Sequence, residues 1–590
     1  MTITFKSLGD YIVDRTESLD ETLIQEYFID RSDDKVKRLL DTEQYLLEGS
    51  RGSGKTMLMK SVELLAKNTF GQNSILAVWV SFEESIRIER IKIVNSLLDP
   101  FLQWTMGKIL YEVLEQIMKL KPSSLESLED RLFKIFGSGN RGDYSYYSKV
   151  LSEYIHILEK GDIEDNNLLG DKIPSTELAT ILENPTSFKN FLVDLIKDFH
   201  LDRIVLLFDE AAHVFSHSQQ EKFFTLFKAL RHPKIACKAA VYPGITNYGK
   251  YFEKGQDAKE LRLDWSATNL EDLNYINNIL KVRIQKFDES YWNKLTINRA
   301  VINTICSCSN GNPRFAFHII DELENSRAFN KTISMPRVIA ALRTVFDSKW
   351  KEFSTLKQRL VKYKNHIEAA ENLMKEVIIP NLREWNNKQR KSRKKLSAGF
   401  YVSTIVYDQI PQVFDILAYS NIILIDYSKK SLGRNQYGYY MSLNPSLLFT
   451  DLIIRDISEM DNISTNIDAN QAYYPTSQDL KVVMENLGDD NEYQCSNSKC
   501  DYKTADETFA FCPRCGNKIQ ISESESLYKI LRSHSIDNLK LSHKIIERLK
   551  LKFSNIGEVY DAELDEIRMK YIQDVRIEMI KNAAIEYMAG

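Results

Sequence analysis

Eight residues, Gly49-Ser50-Arg51-Gly52-Ser53-Gly54-Lys55-Thr56, constrain this chain more than any other stretch, because they satisfy G-x-x-x-x-G-K-[ST] at every required position. Upstream, Tyr45-Leu46-Leu47 is a short apolar run that reads as a buried strand, and downstream Met57 to Ala66 has helical periodicity. A strand, a glycine-rich turn and a helix start, in that order, aim several backbone N–H groups at one point. The helix dipole adds partial positive charge there. The pattern therefore predicts a polyphosphate cradle over Gly49 to Thr56, with Lys55 reaching the β- and γ-phosphates and the Thr56 hydroxyl on Mg2+.

With 590 residues the chain exceeds a single hydrophobic core, so several domains are expected. Its hydrophobic content of 43% and charged content of 27% are those of an ordinary globular protein. A net charge of −4 argues against a uniformly basic nucleic-acid coat, so any such contact must come from local patches. No signal-peptide core opens the sequence and no apolar run approaches a membrane span, which predicts a cytoplasmic protein with no membrane partner. Seven cysteines, four of them in one short stretch, predict a metal site in a reducing compartment.

Arg15 to Phe28 reads as an amphipathic helix beside the nucleotide site, and Ile75 to Val80 as a second buried strand. The stretch from about 84 to 200 is helical and aromatic-rich, with a turn-like Gly137 to Gly142, and reads as an insertion into the core. Next, Ile204-Val205-Leu206-Leu207-Phe208 predicts a strand buried on both faces, ending in Asp209-Glu210. Ligands bind at that end of open α/β sheets. Asp209 is expected to hold Mg2+ through water and Glu210 to polarise the attacking water. His213 reads as packing.

A further strand, Ile235 to Tyr242, runs into Pro243-Gly244-Ile245-Thr246-Asn247. Here the sequence resembles the AAA+ ATPases of the origin-recognition-complex type. That resemblance places a polar sensor of the γ-phosphate at Asn247, with Thr246 as the alternative; the plain reading of Asn247 is a turn residue. Leu270 to Ile284 resembles the first helix of the family's lid. Gly311-Asn312-Pro313-Arg314 then resembles the segment carrying the second sensor, so Arg314 is expected on the γ-phosphate when the lid closes. Cys306 and Cys308 read as small buried residues. Lys250, Lys254, Lys259 and Arg262 are the cations where an arginine finger would stand, but Arg262 falls in the expected strand Glu260 to Trp265. STAND-type signalling ATPases, which the chain also resembles, often lack a clear finger.

From about 350 to 455 the pattern resembles a winged helix: helices leading to Gln412–Tyr419, strands Ile422–Tyr427 and Tyr437–Leu443, and a polar tip Ser428 to Asn435. The basic run 388–395 could neutralise DNA phosphates, or be a solvated loop. After a polar linker come Cys495-x4-Cys500 and Cys512-Pro513-Arg514-Cys515-Gly516. Two such paired-thiolate knuckles predict a closed, structural four-cysteine zinc site and resemble a zinc ribbon. The residues from Ser535 resemble the helix-hairpin-helix module of the RNA polymerase alpha C-terminal domain, although Gln573 stands where the second hairpin carries glycine. That leaves DNA phosphate contact and protein docking both open.

The expected architecture is an α/β P-loop NTPase (AAA+-like) core with helical lid, winged helix, zinc ribbon and C-terminal helical domain. The boundaries are 1–40 for an N-terminal helical segment, 41–267 for the core, 268–348 for the lid, 349–456 for the winged helix, 457–490 for the linker, 491–520 for the ribbon and 521–590 for the last module. The expected cofactors and ligands are ATP, Mg2+ and Zn2+. The expected function is an ATP-hydrolysing switch that couples nucleotide state to duplex DNA or to assembly, including a homo-oligomer. By analogy, ATPases of this build often serve anti-phage systems. A nucleotide-gated scaffold for an effector protein, without DNA, is the alternative, and a replication initiator the third reading.

Overall fold

The computed structural model describes residues 7–12, 16, 19–30, 35–82, 99–121, 130, 132–133, 144–160, 176–211, 217–263, 270–359, 363–433, 436–455, 458–459, 473–475, 480, 492–497, 500, 502–504, 511–522, 532–539, 541, 543–569, 572, 576–577, 579–581 and 583–584. Contacts divide the chain into two units, residues 1–294 with 311–317, and 295–310 with 318–590. Among the described residues no helix is long and apolar enough to cross a membrane.

The first unit is built on a five-stranded sheet of β1 (Tyr45–Glu48), β2 (Ile75–Ser81), β3 (Arg203–Asp209), β4 (Ile235–Val241) and β5 (Lys259–Arg262), in the order β2-β3-β4-β1-β5. All four neighbouring pairs are parallel. Parallel strands need long crossovers, which lay helices on both faces and bury the inner strands. Six residues of β3, from Ile204 to Asp209, are accordingly buried, as is every residue of β4.

Side chains alternate between the two faces. Leu47, Val205, Leu207 and Ala240 meet Leu58, Met59, Val62 and Ala66 of the Lys55–Asn73 helix, whose apolar residues recur every three to four positions. On the opposite face Leu46, Leu76, Val78, Leu206 and Phe208 share one core with Trp104, Leu158, Phe188, Leu192 and Phe223. Those partners include residues of helices Pro100–Leu120, Tyr144–Lys160 and Pro185–Asp198. The described helices of the stretch expected as an insertion thus pack on this face of the sheet together with the helix His217–Ala229. Their amphipathic period marks an apolar side without saying which surface receives it. The turn-like 137–142 lies outside the described residues.

Near the start, the helix spans Glu21–Tyr27, shorter than the expected 15–28, with Asp20 Oδ1 accepting from the Leu23 N–H at 2.8 Å. The lid-like helix Leu270–Phe287 extends a little beyond its expected end.

In the second unit, helices Met335–Arg359 and Ile379–Lys391 precede an antiparallel sheet of β6 (Gly399–Ser403), β7 (Ile423–Gly433) and β8 (Gln436–Leu443), in the order β6-β8-β7. Helices Thr404–Gln409 and Pro411–Tyr419 lie between β6 and β7 in sequence. The polar tip expected from 428 belongs instead to β7 as far as Gly433, with register irregularities between Asp426/Lys430 and Ser431/Gly433. A bulged polar ribbon lacks the apolar alternation by which a strand is recognised. Within the stretch expected as a linker, Tyr473 pairs with Phe400 and its carbonyl accepts from the Tyr401 N–H at 3.1 Å.

Gly399 lies so close to β8 that a Cβ there would sit 2.0 Å from the Met441 carbonyl oxygen. Gly399→Ala is expected to cost at least about 2 kcal/mol and to release amide protection over 399–403, with 203–209 unchanged, by hydrogen exchange.

Candidate functional site

The loop 49–54 joins β1 to the Lys55–Asn73 helix, at the C-terminal edge of the parallel sheet. Gly52 has φ +84°, and a Cβ on it would lie 2.7 Å from Asn312 Oδ1 and 3.0 Å from Arg314 Cβ. Both the left-handed backbone and the close approach require glycine there. Asn312 is a residue that motif reasoning missed. Its Nδ2 donates to the Arg51 carbonyl at 2.7 Å, while its Oδ1 accepts from the Phe315 N–H at 3.1 Å. One side chain therefore caps the Pro313–Asn325 helix and ties that helix start to the phosphate-type loop. An asparagine before a proline at a helix start is legible as a cap; its grip on a loop some 260 residues away is not.

A cavity open to solvent lies beside the loop. Lys55, Thr56, Glu210 and Arg314 all line it, so the structure brings together these four predicted residues from widely separated stretches. Arg51, Gly52 and Gly54 of the loop line it too. The Lys55 side chain is buried, with Nζ donating to the carbonyls of Gly49 at 2.8 Å and Ser50 at 2.9 Å and lying 3.9 Å from the Tyr242 ring centre. Burial pushes its ammonium down to about 7; Glu210 and Asp209 pull the other way, and Arg314 adds to the fall.

Asp209 is buried at the end of β3. Its Oδ1 accepts from the Glu210 N–H at 3.0 Å and its Oδ2 from Trp79 Nε1 at 3.4 Å. Glu210 itself has φ +60°, a conformation costly for a non-glycine residue and concentrated at functional sites. The Tyr242 hydroxyl donates to Glu210 Oε1 at 3.4 Å, and Tyr242 also lines the cavity. The Asn247 side chain is not among the lining groups. Its Oδ1 accepts from the Gly249 N–H at 3.1 Å, and its own N–H donates to Gln220 Oε1 at 2.5 Å. His213 lies outside the described residues.

Arg283, also missed, lines the cavity from the Leu270–Phe287 helix. It is 3% exposed, its guanidinium sits 3.7 Å from the Tyr27 ring centre, and its Nη1 donates to the Tyr11 carbonyl at 3.1 Å. Burial lowers its pKa to about 10. The cavity is thus lined by the cations Lys55, Arg51, Arg314 and Arg283 and by the apolar or aromatic side chains of Tyr27, Ile279 and Phe317, with the Arg283 guanidinium against the Tyr27 and Phe317 rings. Such a site suits a polyanion carrying a flat or apolar group. Three of the cations considered for an arginine finger are engaged within the chain. Lys254 Nζ lies 3.2 Å from Glu48 and 3.2 Å from Glu260, Arg262 lies 3.0 Å from Glu260, and Lys259 lies 3.1 Å from Glu43.

In the second unit the basic run divides. Arg390 binds Glu459 through two bonds of 2.7 Å, and Lys388 pairs with Glu384 at 2.7 Å. Lys391, Arg393, Lys394 and Lys395 are exposed. The Pro411–Tyr419 helix, in the stretch expected as a winged helix, contains no lysine or arginine. Its Asp415 Oδ1 accepts from the hydroxyls of Tyr407 at 2.6 Å and Tyr427 at 3.1 Å, and burial raises the Tyr407 pKa.

Cys495, Cys500, Cys512 and Cys515 place their Sγ atoms within 4.8 Å of one another. Cys495 ends the first strand of a small sheet of order β10-β9-β11, where β9 is Glu492–Cys495, β10 is Lys503–Thr504 and β11 is Ile519–Ser522, and the other three cysteines lie outside its strands. Two N–H groups point at the sulfurs: the Asn497 amide is 3.4 Å from Cys495 Sγ, and Asn517 Nδ2 is 3.4 Å from Cys515 Sγ. Four thiols with donors already aimed at them fit a tetrahedral ion such as zinc, with no coordination position left for catalysis. In the C-terminal module, helices His543–Leu549 and Ile556–Asp561 flank a short turn, while Gln573 lies outside the described residues.

No protein-family model matches the sequence, and no curated protein matches it. Among solved structures the chain is similar to the Aeropyrum pernix ORC1 protein in complex with DNA, at 10% identity and TM-score 0.30, covering 77% of this chain and 100% of that one. It is also similar to the Aeropyrum pernix ORC2 protein in ADPNP-ADP complexes, at 12% identity and TM-score 0.27, covering 76% and 93%. Function is therefore read from the site itself.

Asn312→Ala removes the tie between the loop and the helix start; it is expected to destabilise the chain by about 1–2 kcal/mol and to raise amide exchange at 50–54. Metal analysis of the full chain should find one zinc per molecule, lost in Cys512→Ser together with exchange protection over 492–522.

Proposed function

We propose that the chain is an ATP-binding and ATP-hydrolysing switch of AAA+ type, whose nucleotide state governs association with DNA. The observation that carries the reading is the convergence of Lys55, Thr56, Glu210 and Arg314 on one cavity at the C-terminal edge of a parallel sheet. The sheet order, with the phosphate-type loop after β1, supports the AAA+ assignment.

In this reading the loop N–H groups from Gly49 to Thr56 cradle the phosphates, and Lys55 leaves its two loop carbonyls to meet the β- and γ-phosphates. Arg314 stabilises charge on the γ-phosphate from the helix start, and Glu210 orients the attacking water. Tyr27, Ile279 and Phe317, which also line the cavity, are assigned to pack against the adenine. Asn247, assigned by resemblance as γ-phosphate sensor, would have to exchange its turn hydrogen bond for that role. Thr56, which lines the cavity, and Asp209, at the end of β3 behind it, would hold Mg2+, which when bound neutralises phosphate charge. The cluster of Cys495, Cys500, Cys512 and Cys515 holds structural zinc.

DNA contact falls to the exposed Lys391, Arg393, Lys394 and Lys395 and to the wing. A recognition-position helix without cations favours phosphate contacts over base reading. The alternative, a nucleotide-gated scaffold for an effector protein, is favoured by the same helix, whose Asp415 is already occupied by two tyrosine hydroxyls.

Glu210→Gln is expected to bind ATP with wild-type affinity and to hydrolyse it at least about 100-fold more slowly. In that trapped state a mobility-shift titration on duplex DNA should weaken steeply with salt. Neutralising Lys391, Arg393 and Lys394 together should reduce the log–log salt slope by about 3. ATP-dependent turnover with no DNA shift at low salt selects the scaffold reading.

Lys55 near neutrality gives a further outcome. At pH 8 its ammonium is largely deprotonated in the free chain, and a phosphate raises its pKa, so nucleotide binding takes up a proton. Calorimetry in buffers of different ionisation heat should show uptake approaching about one proton per nucleotide at pH 8, and less at pH 6.

A further inference from the structure

Tyr242 follows β4 directly and is 4% exposed. Its backbone is fixed twice by one side chain: the Thr246 hydroxyl accepts from the Tyr242 N–H at 2.9 Å and donates to the Tyr242 carbonyl at 2.9 Å. From that fixed point the ring lies 3.9 Å beneath the Lys55 ammonium, and the hydroxyl reaches Glu210 Oε1 at 3.4 Å. One side chain therefore touches both the group assigned to the phosphates and the group assigned to the water.

Glu210 has particular need of such a partner. Its backbone sits at φ +60°, and its neighbour Asp209 already directs its carboxylate back onto the Glu210 N–H. Water activation needs the Glu210 carboxylate held in one direction, and a hydrogen bond to it contributes to that hold. The tyrosine hydroxyl supplies that hold, while its ring presents an electron-rich face to the ammonium. When a phosphate draws Lys55 away, the cation–ring contact is given up and the hydroxyl contact to Glu210 can persist.

We propose that Tyr242 is a positioning residue that aims Glu210 for water activation and links it to the phosphate-binding Lys55, an assignment that rests on the nucleotide-hydrolysis reading above. It acts through Glu210 and contributes little to holding the nucleotide. Tyr242→Phe keeps the ring under Lys55 and removes only the hydroxyl. Steady-state ATPase kinetics on the full chain should then show kcat lowered by about 10- to 100-fold with KM within about twofold of wild type. Thr246→Val, which frees the tyrosine backbone without touching either carboxylate, should lower kcat in the same sense by about threefold, again at constant KM.

A wild-type chain that takes up no nucleotide overturns the hydrolysis reading, and this assignment with it. A wild-type chain that binds and turns over ATP, while Tyr242→Phe keeps wild-type kcat, overturns the tyrosine assignment alone. So does a Tyr242→Phe variant that loses its ATPase wholly through a raised KM, because that outcome places the hydroxyl in binding.

Discussion

Burying the Lys55 ammonium costs several kcal/mol in desolvation unless the protein supplies acceptors, and the rest of the site is arranged by that constraint. The carbonyls of Gly49 and Ser50 and the face of Tyr242 supply part of what water would, while Glu210 and Asp209 pull the charge back toward the protonated form. Arg314 works against them. The resulting amine stands near its neutral point in the free chain, so a multiply charged anion has a large effect on it. Few ligands other than a polyphosphate use a cation, a row of loop N–H groups and a helix start together.

This site is assembled from non-local pieces, each with its own local cause. A left-handed glycine turns the loop, Asn312 grips that loop from the start of a later helix, and two inner strands end in Asp209-Glu210 and Tyr242 on the same edge of the sheet. Helices on both faces keep those strands dry and in register. The second unit carries different chemistry: exposed cations over 391–395, a helix Pro411–Tyr419 without cations, and four thiols clustered around a three-stranded sheet.

What was legible in the amino-acid sequence was what short range determines. The glycine-lysine-threonine spacing, the apolar run ending in two carboxylates and the paired cysteines each carry their meaning within a few residues, and the structure places all three groups as clusters. Long-range partners were not legible. Nothing near Tyr242 announces that it faces Lys55 and Glu210, and nothing near Arg283 announces a cavity. That the described helices between β2 and β3 pack on the sheet was not legible because an apolar helix face does not name its partner, and β7 read short because its outer half is polar on both sides. Asn247, read by resemblance as a sensor or plainly as a turn residue, makes a turn-type hydrogen bond to Gly249.

The proposed grip of this cavity on a magnesium-bound triphosphate depends on the buried Lys55. Isothermal titration of the folded full chain with Mg-ATP, beside Lys55→Ala, tests it most directly. The expected result is one site per chain in the wild type and at least about 100-fold weaker binding in the variant, a loss of about 2.7 kcal/mol. Absence of binding to adenine or guanine triphosphates by the wild type, or equal affinity in the two chains, would contradict it.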